Sequence, residues 1–501
     1  MSELTLLVVG DTHFLDSARA EPSDPTRECR LAGELLQRAV LDARRRGGFD
    51  AVVLLGDMVD AGRAPDADRD VAVIEQILHE ASADVPRIIV PGNHDGDVEM
   101  VLSIFSERPG MREVGGYRIY NFADRWDERN VCLRTQDEMQ RFAQQARASD
   151  DKPLIVVQHN PLHPPIESDY PFMPPNRDAI MSAYSDAGVL LSLSGHYHAG
   201  QPLCESGGVL YYTCPALCES PFRYALVRLH GREVDVSEHQ LRHQDNPPLF
   251  DVHSHTQYAY CGRGVSATEV IRRAGIFGLA GVCLTEHADQ LYATRQEHDS
   301  GYGGDHPDFW CAPRSNESER MPRYRAEITP LRSDFVKLAL EVELDAVGRP
   351  TLRQSDRDGW DMLIGSMHWI PGGVSGLSLD EVKRRFMRDT ERILRFGVAV
   401  LAHPFRFFRR SDLAPPRDLY RPVARLLAQY GAAAEINFHC NQPDPEFFAI
   451  CIERGVKIAL GTDTHELWEA GDLHPHLSVL RAAAGREDVT DLLFPPPAVK
   501  Q

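Results

Sequence analysis

Short β-branched runs that stop at Gly, Asp or His recur along the whole chain, and no other feature narrows its possible folds as much. In the first half, runs at 4–9, 51–55, 87–90, 154–157 and 190–193 each have the length and composition of a buried strand. Amphipathic stretches at 27–45 and 70–81 predict helices between some of them, and 209–213 and 224–229 predict two closely spaced further strands. Seven more strand-like runs follow, at 249–252, 279–284, 336–343, 362–365, 398–402, 432–436 and 457–460, with mostly helical sequence between them. The clearest helix spans 379–396. Strands interleaved with helices in this way predict an α/β protein.

The chain has 501 residues, which favours at least two domains. The polar, aperiodic segment 239–250, with Pro247-Pro248, reads as the junction, giving domains 1–240 and 249–501 around a linker at 241–248. Residues 289–325 are rich in Gly, Arg and aromatics and poor in periodicity; a loop of that length suggests a lid, with Tyr292, Arg295, Arg314, Arg323 and Arg325 available to an anionic substrate. The formal charge is −20, most of it in the first half, so extended nucleic-acid binding is disfavoured. No basic run exceeds Arg44-Arg45-Arg46. No apolar run is long enough to span a bilayer, and the N-terminus lacks a signal-peptide pattern. The ten cysteines form no C-x-x-C pair, and Cys132, Cys283 and Cys451 lie in apolar runs. Buried, reduced thiols in a cytoplasmic protein are the expectation.

The residues at the strand ends carry the chemistry. Asp11-Thr12-His13 follows the first run, Asp57 and Asp60 the second, Asn93-His94-Asp95 the third, His159 the fourth, and His196-Tyr197-His198 the fifth. Strand ends on one sheet edge converge, so these oxygen and imidazole donors can surround one point and supply two adjacent divalent ions with a bridging carboxylate.

This ordered set resembles the calcineurin-like metallophosphoesterases over roughly residues 3–240. The resemblance implies a four-layer αββα sandwich and two divalent metals drawn from Mn, Fe and Zn. By position, Asp11, His13 and His198 would bind the first metal and Asp57 would bridge. Asn93, His159 and His196 would bind the second. His94 would be the non-ligand histidine that donates to the leaving group, oriented by Asp60. The run from His159 to His163 resembles the small bacterial diesterase branch more than the protein phosphatases.

The second half repeats the theme: Asp251-Val-His253-Ser-His255, Thr285-Glu286-His287, Glu341-Val-Glu343, His368, His403 and Asp463-Thr-His465. The i, i+2 pairs place both side chains on one side of an extended chain, which suits chelation of one ion. Glu341 and Glu343 share a strand face, and the residues alone do not choose between them. The pattern resembles the PHP (polymerase and histidinol phosphatase) family over roughly 249–485. That resemblance implies a distorted (β/α)7 barrel with two or three metals (Zn, Mn or Fe) held by His253, His255, His287, Glu341, His368, His403, Asp463 and His465. Trinuclear members have a further imidazole shortly after the H-x-H pair. Cys261 stands at that position, followed by Arg263, which could bind phosphate instead. Arg406, three residues past His403, could clamp a phosphate bidentately in a catalytic role. His163, His230, His243, His298, His306, His439 and His474 read as ordinary surface or core histidines.

Two ligand sets in one acidic chain predict a bifunctional metal-dependent phosphoesterase acting by activated water on small phosphodiesters, phosphomonoesters or both, such as cyclic nucleotides, nucleotides or sugar phosphates. The alternatives are one active half with the other as a metal-stabilised interaction module, or a nuclease. The oligomeric state is not readable.

Overall fold

The computed structural model describes residues 2–16, 21–147, 152–244, 246–300, 319–371 and 373–495. Two compact units emerge, Met1–Arg242 and His243–Gln501.

The first unit contains β1 (Glu3–Val9), β2 (Ala51–Leu54), β3 (Arg87–Ile89), β4 (Gly110–Val114), β5 (Tyr117–Asn121), β6 (Leu154–Val157), β7 (Val189–Ser194), β8 (Gln201–Ser206), β9 (Val209–Thr213), β10 (Arg223–His230) and β11 (Glu233–Gln240). They form two sheets, in the orders β11-β10-β1-β2-β3 and β4-β5-β6-β7-β9-β8. β1, β2 and β3 run parallel, as do β5, β6, β7 and β9.

The period-2 alternation of a strand explains the layering. Leu4, Leu6 and Val8 of β1 meet Ile119, Ile155, Val157, Leu191 and Leu193 in one core between the sheets. The outer face of the second sheet (Tyr120, Val156, Tyr211) is covered by Phe142 and Ala146 of the helix Gln136–Ala146 and by Ile180 and Tyr184 of the helix Arg177–Asp186. The helices Ala32–Arg45 and Ala67–Ser82 bury their own apolar stripes, Leu35, Leu36, Ala39 and Val40 on one and Val71, Ile74 and Leu78 on the other. The layers are therefore αββα, as expected. β4, β5, β8 and β11 were not anticipated: β4, β8 and β11 are polar and partly exposed, and carry no apolar run.

The second unit contains β12 (Phe250–Ser254), β13 (Gly281–His287), β14 (Val336–Val342), β15 (Met362–Gly365), β16 (Val400–Leu401), β17 (Ala433–Ile436) and β18 (Ile458–Leu460). All seven pair in parallel and close into a barrel. One cluster draws Phe250, Val252, Cys283, Ala339, Met362, Val400, Ala433 and Ala459 from every strand, so it fills the interior. Mostly small residues fit that confined lumen. A larger core lies between strands and helices, including Leu338 and Leu340 on one side and Phe386, Ile393 and Leu394 of the helix Leu379–Arg395 on the other. The ring closes where β12 meets β18 through the single pairing Asp251 with Leu460. Asp251 reinforces that seam by accepting from the Thr462 hydroxyl (2.6 Å) and backbone N–H (3.0 Å).

The segment expected as a linker carries His243, which is buried and stacked on His474 at 4.0 Å within the second unit. Of the expected lid, Tyr292 is fully buried and its hydroxyl donates to Asp356 (2.7 Å), so it is core rather than lid. Arg325 donates to the backbone oxygens of Asp356 and Asp358, and Arg295 to that of Tyr260. Arg314 lies outside the described residues. Cys132, Cys283 and Cys451 are buried free thiols, as expected. Among the described residues, no helix is long and apolar enough to cross a membrane.

A buried ion pair offers a test of the first unit's packing. Arg134 and Asp124 are both essentially inaccessible; Arg134 also donates to Gln158 (2.9 Å) and Tyr184 (2.7 Å) and lies over the Phe122 ring. Asp124→Ala leaves that guanidinium buried and uncompensated. It should lower unfolding free energy by about 3–5 kcal/mol in urea titration, and Asp124→Ala with Arg134→Met should recover part of the loss.

Candidate metal centres

In the first unit the donors meet at the carboxyl ends of the parallel strands. Asp57 sits at the centre, with Oδ2 3.6 Å from His13 Nε2 and 3.4 Å from His159 Nε2, while Oδ1 accepts the His94 N–H (2.7 Å). Around it, His13 Nε2 lies 3.3 Å from His198 Nε2, and His159 Nε2 lies 3.0 Å from His196 Nδ1 and 3.1 Å from Asn93 Oδ1. Asp11 accepts the His196 N–H (3.0 Å) and faces His198 Nε2 at 3.7 Å.

Three of these rings are held from behind. His159 Nδ1 donates to Leu55 O (2.6 Å), His13 Nδ1 to Asp60 (3.1 Å) and His198 Nδ1 to Glu219 (2.6 Å). That tautomer leaves each Nε2 lone pair pointing inward. Facing lone pairs and the buried, unsatisfied His196 Nε2 form a donor set that fits divalent cations. Burial alone would push the Asp57 carboxyl up, but His159, His94 and His13 outweigh it and hold it well below the usual range.

Asp60 meets His94 by a different atom from the one its carboxylate suggested. Its carboxylate accepts from Ser23, Arg27 and His13, and only its backbone oxygen meets His94 Nδ1 (3.2 Å). The i, i+3 spacing from Asp57 is compatible with either direction, and the extra donors of Ser23 and Arg27 decide it. Beside the centre lies a cavity of about 370 Å³, lined by Arg27, His94, Asn130, Tyr170, Phe172 and Tyr197 among others.

In the second unit Glu341 is the centre. It is fully buried, and five imidazoles approach it: His287 at 2.7 Å, His403 at 2.9 Å, His368 at 3.5 Å, His253 at 3.6 Å and His255 at 3.8 Å. Glu343, on the same strand face, instead meets His368 Nδ1 and Trp369 Nε1. Asp463 lies 2.8 Å from His255 Nε2 and 3.4 Å from His253 Nε2. His465 lies beside His255, with ring centroids 4.6 Å apart. Against the effect of burial, His287, His368 and His253 hold the Glu341 carboxyl well below its usual range. His403 Nδ1 is buried without a hydrogen-bond partner and the other imidazole nitrogens converge on Glu341, so this cage too fits cations. Groups of three donors within 4.8 Å of one another include His253, His255 and Glu341 here, and Asp57, His159 and His196 in the first unit.

Sequence reasoning missed the carboxylates that hold these rings. Glu435 accepts from His253 Nδ1 (2.9 Å) and the His403 N–H (2.7 Å), and Glu286 accepts from His255 Nδ1 (3.2 Å). An acid inside an apolar strand run is the signal that could have found Glu435. His439, read as ordinary, stacks on His465 at 3.9 Å with its Nδ1 2.9 Å from Glu469. Arg406 is buried and donates to Asp463 and His403, within the cage rather than at its mouth. Arg263 is exposed on the rim and faces Glu466 at 3.5 Å.

Close approach makes some glycines obligatory. A β-carbon on Gly92 would fall 2.2 Å from the Asp57 backbone nitrogen, with no flexible atom to yield. Gly92→Ala should therefore destabilise the first unit by about 3 kcal/mol or more, read by denaturant titration; a neutral result would contradict this packing.

Residues 4–200 match the model of the calcineurin-like phosphoesterases and residues 251–439 that of the PHP domain. A probable histidinol-phosphatase of Deinococcus radiodurans is 26% identical over 253 residues, 44% of this chain and 88% of that protein. A dimetal phosphatase from Danio rerio is 20% identical, covering 48% of this chain and 99% of its own, with a TM-score of 0.38. The 5′-nucleotidase precursor from Thermus thermophilus is 13% identical over 48% of this chain and 54% of its own, with a TM-score of 0.31. The chain thus belongs to two families at once: it joins a calcineurin-like phosphoesterase domain to a PHP domain and is a metal-dependent phosphoric ester hydrolase.

Proposed function

We propose that each unit carries its own hydrolytic centre, the first opening a small phosphodiester and the second releasing phosphate from the resulting monoester. The observation that carries this reading is the presence of two separate imidazole cages, each built around one buried carboxylate, Asp57 and Glu341. In the first unit Asp11, His13 and His198 would hold one cation, Asn93, His159 and His196 another, and Asp57 would bridge. In the second, His253, His255, His287, Glu341, His368, His403, Asp463 and His465 would hold two or three. Bound divalent ions supply Lewis acidity toward phosphoryl oxygens and water.

The chain's own groups do the rest. His94 lines the cavity with its Nδ1 donating to the Asp60 carbonyl; in the doubly protonated ring, Nε2 would give its proton to the departing oxygen. Arg406 carries a buried, paired positive charge beside His403 and Asp463, and would attract a phosphoryl group there. Tyr170 and Phe172, with ring centroids 4.8 Å apart, and Tyr197 give the first cavity an aromatic wall. That wall suits a substrate bearing a flat ring, such as a nucleobase.

With the full chain and Mn²⁺, Asp57→Asn should block opening of a cyclic nucleotide while phosphate release from the corresponding monoester continues. His403→Ala should leave the monoester to accumulate. If both variants abolish the same single step, the division of labour is wrong. Glu219→Ala, which frees the His198 ring, should weaken Mn²⁺ binding to the first unit about 10–100-fold by calorimetry.

A further inference from the structure

The cavity of the first unit is flanked by two side chains that belong to neither cation set. On one side His94 packs edge-on against His13, with ring centroids 4.7 Å apart. On the other the Tyr170 ring lies 5.6 Å from that of His196. Both line the cavity, and Tyr170 is 38% exposed, so it stands at the mouth. His13 and His196 fall in opposite cation sets. A phosphoryl group seated over Asp57 therefore lies between His94 and Tyr170.

Tyr170 is held at both ends. Its backbone oxygen accepts the Phe172 N–H (2.8 Å), and the Phe172 oxygen accepts from Asn160 Nδ2 (2.9 Å). Asn160 is fully buried, follows His159 directly, and takes the Trp126 indole N–H on Oδ1 (2.9 Å). From Trp126 the chain enters a turn in which Asp127 Oδ1 accepts the Arg129 and Val131 N–H groups (2.8 and 3.0 Å) and Asn130 takes a φ of 60°. That turn brings the Asn130 carboxamide to the Tyr170 hydroxyl, which also meets Asn93. The phenol oxygen is thus carried over the side of the centre that Asn93 and His196 occupy. Burial, and after it the Asp57 carboxylate, push this hydroxyl up from its usual value, so it remains an O–H donor at neutral pH.

Catalysis of phosphoryl transfer is positioning plus stabilisation of the charge on the equatorial oxygens. His94 addresses the departing oxygen. An equatorial oxygen on the Asn93 side faces Tyr170 instead. We propose that the Tyr170 hydroxyl is a catalytic hydrogen-bond donor of the first unit, directed at an equatorial phosphoryl oxygen of the substrate, with Asn130 as the residue that positions it. The proton stays on Tyr170 throughout, and no bond to the phenol forms or breaks. This rests on the reading of the first unit as a hydrolytic centre and adds a residue to it.

The test uses the full chain with Mn²⁺ and cyclic AMP, with Asp57→Asn marking the share of ring opening that belongs to the first unit. Tyr170→Phe keeps the ring of the aromatic wall and removes only the donor. It should lower kcat for ring opening about 10²–10³-fold. KM should hold, as should Mn²⁺ affinity by calorimetry. Sulphur is a weak acceptor, and one of the two phosphorothioate diastereomers of cyclic AMP carries it where Tyr170 donates. For that diastereomer alone, Tyr170→Phe should cost little rate. Asn130→Ala should slow the wild-type chain yet slow Tyr170→Phe no further. Circular dichroism checks that each variant is folded. An unchanged kcat in folded Tyr170→Phe, or equal losses for cyclic AMP and both phosphorothioates, would overturn the proposal and leave the hydrolytic reading standing. Ring opening that survives Asp57→Asn would sink both.

Discussion

The structure depends on imidazoles that are gripped from behind. His13, His159 and His198 in the sandwich, and His253 and His255 in the barrel, each hand Nδ1 to an oxygen: Asp60, the Leu55 carbonyl, Glu219, Glu435 and Glu286. A ring so held cannot rotate without breaking a bond to a charged or carbonyl acceptor, and its Nε2 is fixed toward the centre. The inner carboxylates, Asp57 and Glu341, are fully buried, and isolation at that depth would be costly. The tethered rings are their compensation. Tether, ring and carboxylate stabilise one another, and neither cage works as a list of separate residues.

Backbone strain is concentrated in the same places. Asp11, His13, Asp57, His196, His403 and Asp463 all have positive φ, between 30° and 67°. A non-glycine residue in that region costs roughly 1–3 kcal/mol. The sheets and the barrel wall carry the load, because each strained residue follows a strand whose carboxyl end is buried. The two unrelated architectures have reached the same solution: a rigid parallel strand, an abrupt reversal and a side chain thrown inward.

The cage residues were legible because each is polar where a strand of buried apolar residues stops, and that contrast survives in one dimension. The barrel's seven strands were legible for the same reason. What escaped was whatever depends on a neighbour far away in the chain. Glu219 matters only because His198 lies next to it in space, and Glu435 only because β17 brings it beneath β12. Tyr292 sits in a stretch whose composition suggests a loop, yet it is core because Asp356 waits for its hydroxyl. Asp60 does meet His94, but through its backbone oxygen while its carboxylate turns to His13, since sequence spacing says how close two residues are and not which way a carboxylate turns. Between Glu341 and Glu343, strand parity is equal, and depth in the barrel separates them.

The seam of the barrel adds a last point. β12 and β18 meet through one pairing, latched by Asp251, and the strands on its two sides lead into His253 and His255 on one and Asp463 and His465 on the other. On the assignment proposed above, an ion gripped by His253 and Asp463 is a clasp across the weakest stave of the hoop. Cohesion of the ring and occupancy of the cage then become one thermodynamic quantity seen from two sides, and the melting of this unit follows the logarithm of free cation concentration.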